Sequence, residues 1–162
     1  AMAQPVCLLN TEVQQLEQFP DHNAICEFTK LMLLNERVSF VTMRKAWKAV
    51  IEHHPRLRTR FLPSGQGQWV GHVDDAEAAH ILQSEHVILS ADLKTLEEAI
   101  EEAMNLTRRQ SHLLFVPPLG SSICRFFFCD GPAFQFVVFI VGHTVCDGQS
   151  LPTITDDLSR AC

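Results

Sequence analysis

His143, Asp147 and Gly148 are the residues of this chain whose types and spacing could do chemistry. They follow directly after the apolar run Phe134-Gln135-Phe136-Val137-Val138-Phe139-Ile140-Val141, which reads as a buried strand. A rigid element that ends in an imidazole presents a general base, and here a carboxylate and a glycine follow four and five residues later. Thr144, Val145 and Cys146 are poor helix formers and Gly148 follows them, so the segment is expected to be a loop, in which Asp147 need not touch His143. On this pattern alone a structural histidine and a catalytic one both remain open. Cys146 could in principle join His143 as a nucleophile pair, but neighbours three apart in such a loop rarely meet, and packing is the favoured role for that thiol.

The elements that must position these residues are legible in the periodicity. Ile25 to Leu34 begins with alternating apolar and polar residues and reads as a strand. From Thr42 to His53, Met43, Ala46, Trp47, Val50 and Ile51 fall at helical spacing, and Pro55 stops the helix. Leu57 to Leu62 alternates at period two, and the turn-rich Pro63-Ser64-Gly65-Gln66-Gly67 connects it to Gln68 to Val73 as a hairpin. Asp74 to Glu85 is polar and gives no clear pattern, and Val87 to Leu89 suggests a short strand. A second helix is expected through Leu93, Leu96, Ala99, Ile100, Ala103 and Met104, capped by Ser90 or Asp92, with Glu97, Glu98, Glu101 and Glu102 on a solvated face. Ser122 to Cys129 and Phe134 to Gly142 form another hairpin across Asp130-Gly131-Pro132-Ala133. Ser150 caps a last helix, Leu151 to Arg160, with Ile154 and Leu158 inward, and a further short helix is expected over Asn10 to Gln18. The order predicts an α/β (α+β) two-layer sandwich, a mixed and largely antiparallel sheet with packed helices. Residues 1–162 are expected to form a single domain, with 1–20 as an N-terminal segment and 21–162 as the sandwich.

Composition bounds the function classes. With 162 residues, 46% hydrophobic and 20% charged, the chain can bury a sizeable core. The net charge of -6 disfavours nucleic acid, and Arg56, Arg58 and Arg60 alternate with apolar residues instead of forming a phosphate-binding patch. No run approaches the roughly 18 apolar residues a membrane span needs, and Ala1-Met2-Ala3 opens no signal peptide, so a cytoplasmic setting is expected. Cys7, Cys26, Cys124, Cys129, Cys146 and Cys162 contain no C-x-x-C pair and are expected as free thiols. His53 and His54 could be grouped with His72 or His80 around a metal, but no thiol or carboxylate spacing supports a zinc site, and no metal is expected.

A second segment raises the standing of His143. His53-His54-Pro55-Arg56-Leu57-Arg58-Thr59-Arg60-Phe61, lying between the amphipathic helix and the first hairpin, together with His143-x-x-x-Asp147-Gly148 after an apolar strand, resembles the thioester-dependent acyltransferase superfamily. That group includes chloramphenicol acetyltransferase, the condensation domains of nonribosomal peptide synthetases, and plant and alcohol acyltransferases. The resemblance implies that His143 is the general base that deprotonates a hydroxyl or amine acceptor. It implies that Asp147 points away from substrate and pairs with Arg58, and that Gly148 lets the backbone turn closely past the site. The donor would be a coenzyme A or phosphopantetheine carrier thioester, with no cofactor permanently bound.

Two departures accompany the resemblance. Condensation domains carry two adjacent histidines where this chain has Gly142-His143, which favours the other acyltransferase branches. Family members are also pseudo-dimers with the site between two halves, and the likeness covers only the first half. The chain is therefore expected to be a fragment that is inactive alone and needs a second acyltransferase half or self-association. The alternatives are a natural half-size relative of the same fold that needs a partner half, and a noncatalytic binding or assembly module.

Overall fold

The computed structural model describes residues 5–6, 27–63, 69–111, 124–142, 146 and 149–162. In chain order the elements are β1 (Pro5–Val6), β2 (Glu27–Leu33), α1 (Phe40–His53), a 3-10 turn (Pro55–Arg58), β3 (Thr59–Pro63), β4 (Trp69–Val73), α2 (Ala76–Gln83), β5 (Ser84–Ile88), α3 (Leu96–Ser111), β6 (Cys124–Asp130), β7 (Gln135–Gly142) and α4 (Ser150–Ala161). The main sheet has the order β2-β7-β6-β5; β2, β7 and β6 are antiparallel and β5 runs parallel to β6. A small antiparallel sheet, β1-β4-β3, contains the expected first hairpin. The helix expected over 10–18 lies outside the described residues.

β7 is one of the two inner strands of the main sheet, and all eight of its residues are buried. Side chains alternate across a strand, so its apolar run supplies two faces. Val137, Phe139 and Val141 join Phe126 and Phe128 beneath α1, α2 and α4, whereas Phe136, Val138 and Ile140 join Phe127 and Cys129 against Ala99 and Ala103 of α3. The expected mixed sheet with packed helices is present, and α3 on the opposite face adds a third layer.

α1 begins two residues before its expected start because the Ser39 hydroxyl accepts from the Thr42 N–H at 3.1 Å. Its five predicted inward residues are the five it buries. Trp47 stacks on Phe126 with ring centroids 4.7 Å apart, and its indole N–H donates to Gln83 Oε1 at 3.1 Å. The Gln83 amide in turn donates to the Leu57 carbonyl at 2.7 Å, joining α1, α2 and the 3-10 turn inside the core.

α2 occupies the segment that gave no clear pattern. Asp75 caps it, accepting from the N–H groups of Glu77 and Ala78 at 2.9 and 3.3 Å. The cap of α3 is Thr95 instead of Ser90 or Asp92: its hydroxyl accepts from the Glu98 N–H, and the Glu98 carboxylate accepts from the Lys94 and Thr95 N–H groups. Glu102 accepts from the Ser90 N–H and hydroxyl, so part of the acidic face has structural duties. Ser150 is the first residue of α4, whose cap position is Gln149; Ile154 and Leu158 are buried as expected. At the turn between β6 and β7, Gly131 N–H donates to Phe134 O at 2.9 Å. A Cβ there would stand 3.2 Å from that oxygen and 3.3 Å from Leu89 Cβ, a fit that favours glycine.

Candidate functional site

The candidate site residues follow in sequence directly after β7, at the end of the main sheet where that strand stops. Gly142 is buried and pairs in register with Glu27 at the start of β2, while Val141 pairs with Cys124 at the start of β6. β7 therefore delivers the chain to position 143 from between two antiparallel neighbours. His143, Thr144, Val145, Asp147 and Gly148 lie outside the described residues. Position 143 is fixed to Gly142 by one peptide bond, about 3.8 Å between Cα atoms, and α4 takes up the chain at Ser150.

Cys146 is 4% exposed and belongs to the core cluster with Cys124, Ile154 and Leu158. It serves packing: burial pushes the Cys124 thiol well up, and the nearby Cys146 thiol adds to the shift. Neutral thiols in such surroundings behave as small hydrophobes. Cys124, Cys129, Cys146 and Cys162 are in no disulfide among the described residues.

The second motif turns a corner before it becomes a strand. The sequence predicts a strand from Leu57, but Pro55–Arg58 is a 3-10 turn and β3 starts at Thr59. Proline holds φ near the helical value, Leu57 N–H donates to His54 O at 2.9 Å, and the Thr59 hydroxyl donates to Pro55 O at 3.0 Å. These local bonds outweigh the period-two pattern. Arg58 Nε donates to Ile51 O at 3.0 Å and Arg58 Nη1 to Asp74 O, fastening the end of α1 to the start of α2. Its expected partner, Asp147, is outside the described residues. Arg60 binds Asp74 Oδ1 through Nε and Nη2 at 2.9 and 2.7 Å.

The histidines go separate ways. His53 Nδ1 faces Ala49 O at 2.9 Å, the buried His80 Nδ1 faces Ala76 O at 3.1 Å, and His54 Nε2 lies 2.7 Å from Asp157 Oδ2 on α4. Among the described residues no cluster of three His, Cys, Asp or Glu side chains could hold a metal ion, and no helix is long and apolar enough to cross a membrane. Asp157 is the residue that sequence reasoning missed. It stands 103 positions from His54, and no local pattern announces such a pairing.

Residues 7–162 match the Condensation domain family. The chain belongs to the condensation-domain family. Along 127 residues, 74% of the chain, it is 29% identical to Nonribosomal peptide synthetase 5 of Gibberella zeae and spans 1% of that protein. The starter condensation domain of rhizomide synthetase RzmA superposes with a TM-score of 0.77 at 14% identity, over 98% of this chain and 39% of that one. The epimerization domain from the third module of tyrocidine synthetase B gives 0.74 at 14% identity, over 99% and 35%. The condensation-domain fold is thus shared by relatives with different reactions, and fold alone does not choose between them. This chain spans little more than a third of either structure, and its architecture is that of the N-terminal half of the acyltransferase pseudo-dimer. The family match also corrects the inference drawn from Gly142: a glycine before His143 does not move the chain into another acyltransferase branch.

Proposed function

We propose that this chain is the base-bearing half of a condensation domain, joining an acyl group held as a phosphopantetheine thioester on a carrier protein to an amine or hydroxyl acceptor. Condensation domains as a family link carrier-bound acyl groups to such acceptors, which favours the carrier thioester over free coenzyme A as donor. His143 removes the proton from the acceptor nitrogen or oxygen as that atom attacks the thioester carbonyl. The C–S bond then breaks, and the carrier thiol leaves with a proton. Asp147 and Arg58 shape the loop as an ion pair, for which the guanidinium offers a two-pronged match, and Gly148 allows close backbone passage. Arg58 is already oriented by two backbone carbonyls, so little freedom remains to be lost when its other nitrogens meet a carboxylate. The remainder of the channel comes from a second half or a second copy.

The observation that carries this reading is the fully buried inner strand that ends at Gly142, immediately before His143. A base on a rigid element keeps its geometry through the reaction. The Gly142-His143 departure favours one second reading, a noncatalytic module that retains the fold for binding or assembly. Acyl transfer by the chain with a complementary second half separates the two. His143→Ala should remove turnover while the circular-dichroism spectrum and Tm stay as in the parent, and undiminished transfer rejects the catalytic reading. The chain alone is expected to turn over little or not at all.

A further inference from the structure

The turn between β6 and β7 contains a dipeptide with chemistry of its own. Asp130-Gly131 is one of two Asp-Gly steps in the chain; the other, Asp147-Gly148, lies outside the described residues. In such a step the glycine amide nitrogen can attack the aspartate side-chain carboxyl carbon: a C–N bond forms, the carboxyl C–O bond breaks, and the hydroxyl leaves as water with the amide proton. Water then reopens the five-membered imide at either carbonyl, which restores the aspartate or routes the backbone through its side chain as isoaspartate. Glycine resists least, because it has no Cβ to crowd the ring and the freest backbone.

The fold calls for both residues. A Cβ at 131 would stand 3.2 Å from Phe134 O and 3.3 Å from Leu89 Cβ, and Gly131 N–H donates to that same oxygen at 2.9 Å, so the turn favours glycine. A carboxylate suits position 130: Oδ1 accepts from Arg37 Nη2 at 3.0 Å and from Gln135 Nε2 at 2.9 Å, and His86 Nε2 lies 3.3 Å from Oδ2. The same contacts oppose ring closure. The attacking nitrogen keeps its proton on Phe134 O, three side chains engage the carboxylate, and Asp130 is held in register between Ile88 of β5 and Gln135 of β7. Arg37 touches both residues of the step, since its Nη1 also donates to Gly131 O at 3.0 Å and to Pro132 O at 2.9 Å. With its side chain 57% exposed, Arg37 can be removed without opening the core.

We propose that Asp130-Gly131 is a latent isoaspartyl site and that Arg37 keeps it closed. The carboxylate and the glycine that suit the turn also make the step reactive, and the clamp that uses the carboxylate for stability withholds it from the glycine nitrogen. Ring closure must wait for the hairpin end to open, and each tenfold of protection corresponds to about 1.4 kcal/mol of opening free energy. Isoaspartate there inserts one methylene into the backbone at the last residue of β6, which puts Asp130 out of register with Ile88 and Gln135. The altered end presents a free α-carboxylate, the group that an isoaspartyl carboxyl methyltransferase would recognise.

The test ages the chain at neutral pH, well below its Tm, beside a synthetic peptide spanning residues 126–135, and quantifies isoaspartate at 130 and at 147 separately by electron-transfer mass spectrometry of the digest. At position 130 the parent should form it at least about tenfold more slowly than the peptide. Arg37→Ala should speed position 130 about fivefold or more over the parent, with position 147 unchanged. Arg37→Lys keeps the charge but loses the fork that reaches two carbonyls and a carboxylate, so it should change the rate in the same direction, and it stands in if Arg37→Ala does not fold. Agreement between parent and peptide rates shows that the fold gives no protection and overturns the proposal. A parental rate in both Arg37 variants overturns it as well. So does an equal rise at 130 and 147, which traces the damage to global unfolding instead of the clamp.

Discussion

At the end of the main sheet where β6 turns into β7, polar side chains are spent on holding the fold. Arg37 donates to Asp130 Oδ1 and to the carbonyls of Gly131 and Pro132 at 2.9 to 3.0 Å, and the buried Gln135 binds Val38 N, Val38 O and Asp130 Oδ1. His86 Nε2 approaches Asp130 Oδ2 at 3.3 Å and stacks on Phe40 at 4.9 Å. At the opposite end, where β7 stops at Gly142, Arg58 holds two backbone carbonyls, Cys146 is sunk in the core, and His54 holds Asp157. One end closes a hairpin, and the other leads into the segment that carries His143. On the proposed role of His143, the division predicts that stability and acyl transfer can be perturbed separately, because the described side-chain networks at the two ends are distinct.

The largest expected effect falls on the hairpin end. Gln135→Leu removes the partners of a backbone N–H and a carbonyl at Val38 and should cost about 2–3 kcal/mol by denaturant titration, while kcat of the complemented protein is unchanged well below Tm. A large loss of kcat in this variant would break the separation.

Thiols at both ends sharpen the comparison through pH. Burial raises the Cys124 thiol strongly and pushes Cys129 up from the ordinary 9.0 to about 12. The folded chain keeps these protons where the unfolded chain releases them. Their contribution to stability is therefore complete below pH 9 and is lost as pH rises toward 12, at a slope of about 1.4 kcal/mol per pH unit for each thiol. Alkaline urea titrations should show that slope, and Cys129→Ala should flatten it by one thiol's share. An unchanged slope would contradict a buried neutral thiol at that position.

Cys146→Ser places a hydroxyl among apolar neighbours at the site end, with an expected cost of about 1–2 kcal/mol and, unlike Gln135→Leu, a fall in kcat measured at the same fraction folded. Smallest of all, Lys48→Ala removes exposed ion pairs with Glu52 and Glu77. Pairs of that kind contribute little, so Tm and kcat should both stay at the parental values.

The sequence made the parts of this comparison legible to different degrees. α1 and the two hairpins could be read from periodicity because their apolar positions face one core at fixed spacing. α2 could not, because its inward face uses Ala76, Ala79, His80 and Gln83, which a hydropathy pattern barely registers. The third layer was implicit in the unbroken apolar run of β7, since a strand buried on one face alternates and this one does not. His143, Asp147 and Gly148 are singled out by type and order alone and lie outside the described residues. The long-range bonds were not legible: Gln83 and Asp157 act across 26 and 103 positions, and only the folded chain brings those distances together.

The most direct test measures His143→Ala and Gln135→Leu side by side in the complemented protein, recording acyl transfer from a carrier-bound thioester and urea stability on the same samples. The account predicts a crossed result: His143→Ala loses transfer and keeps its unfolding midpoint, and Gln135→Leu lowers the midpoint and keeps its transfer. Parallel losses in both variants, or transfer that survives His143→Ala, would contradict it.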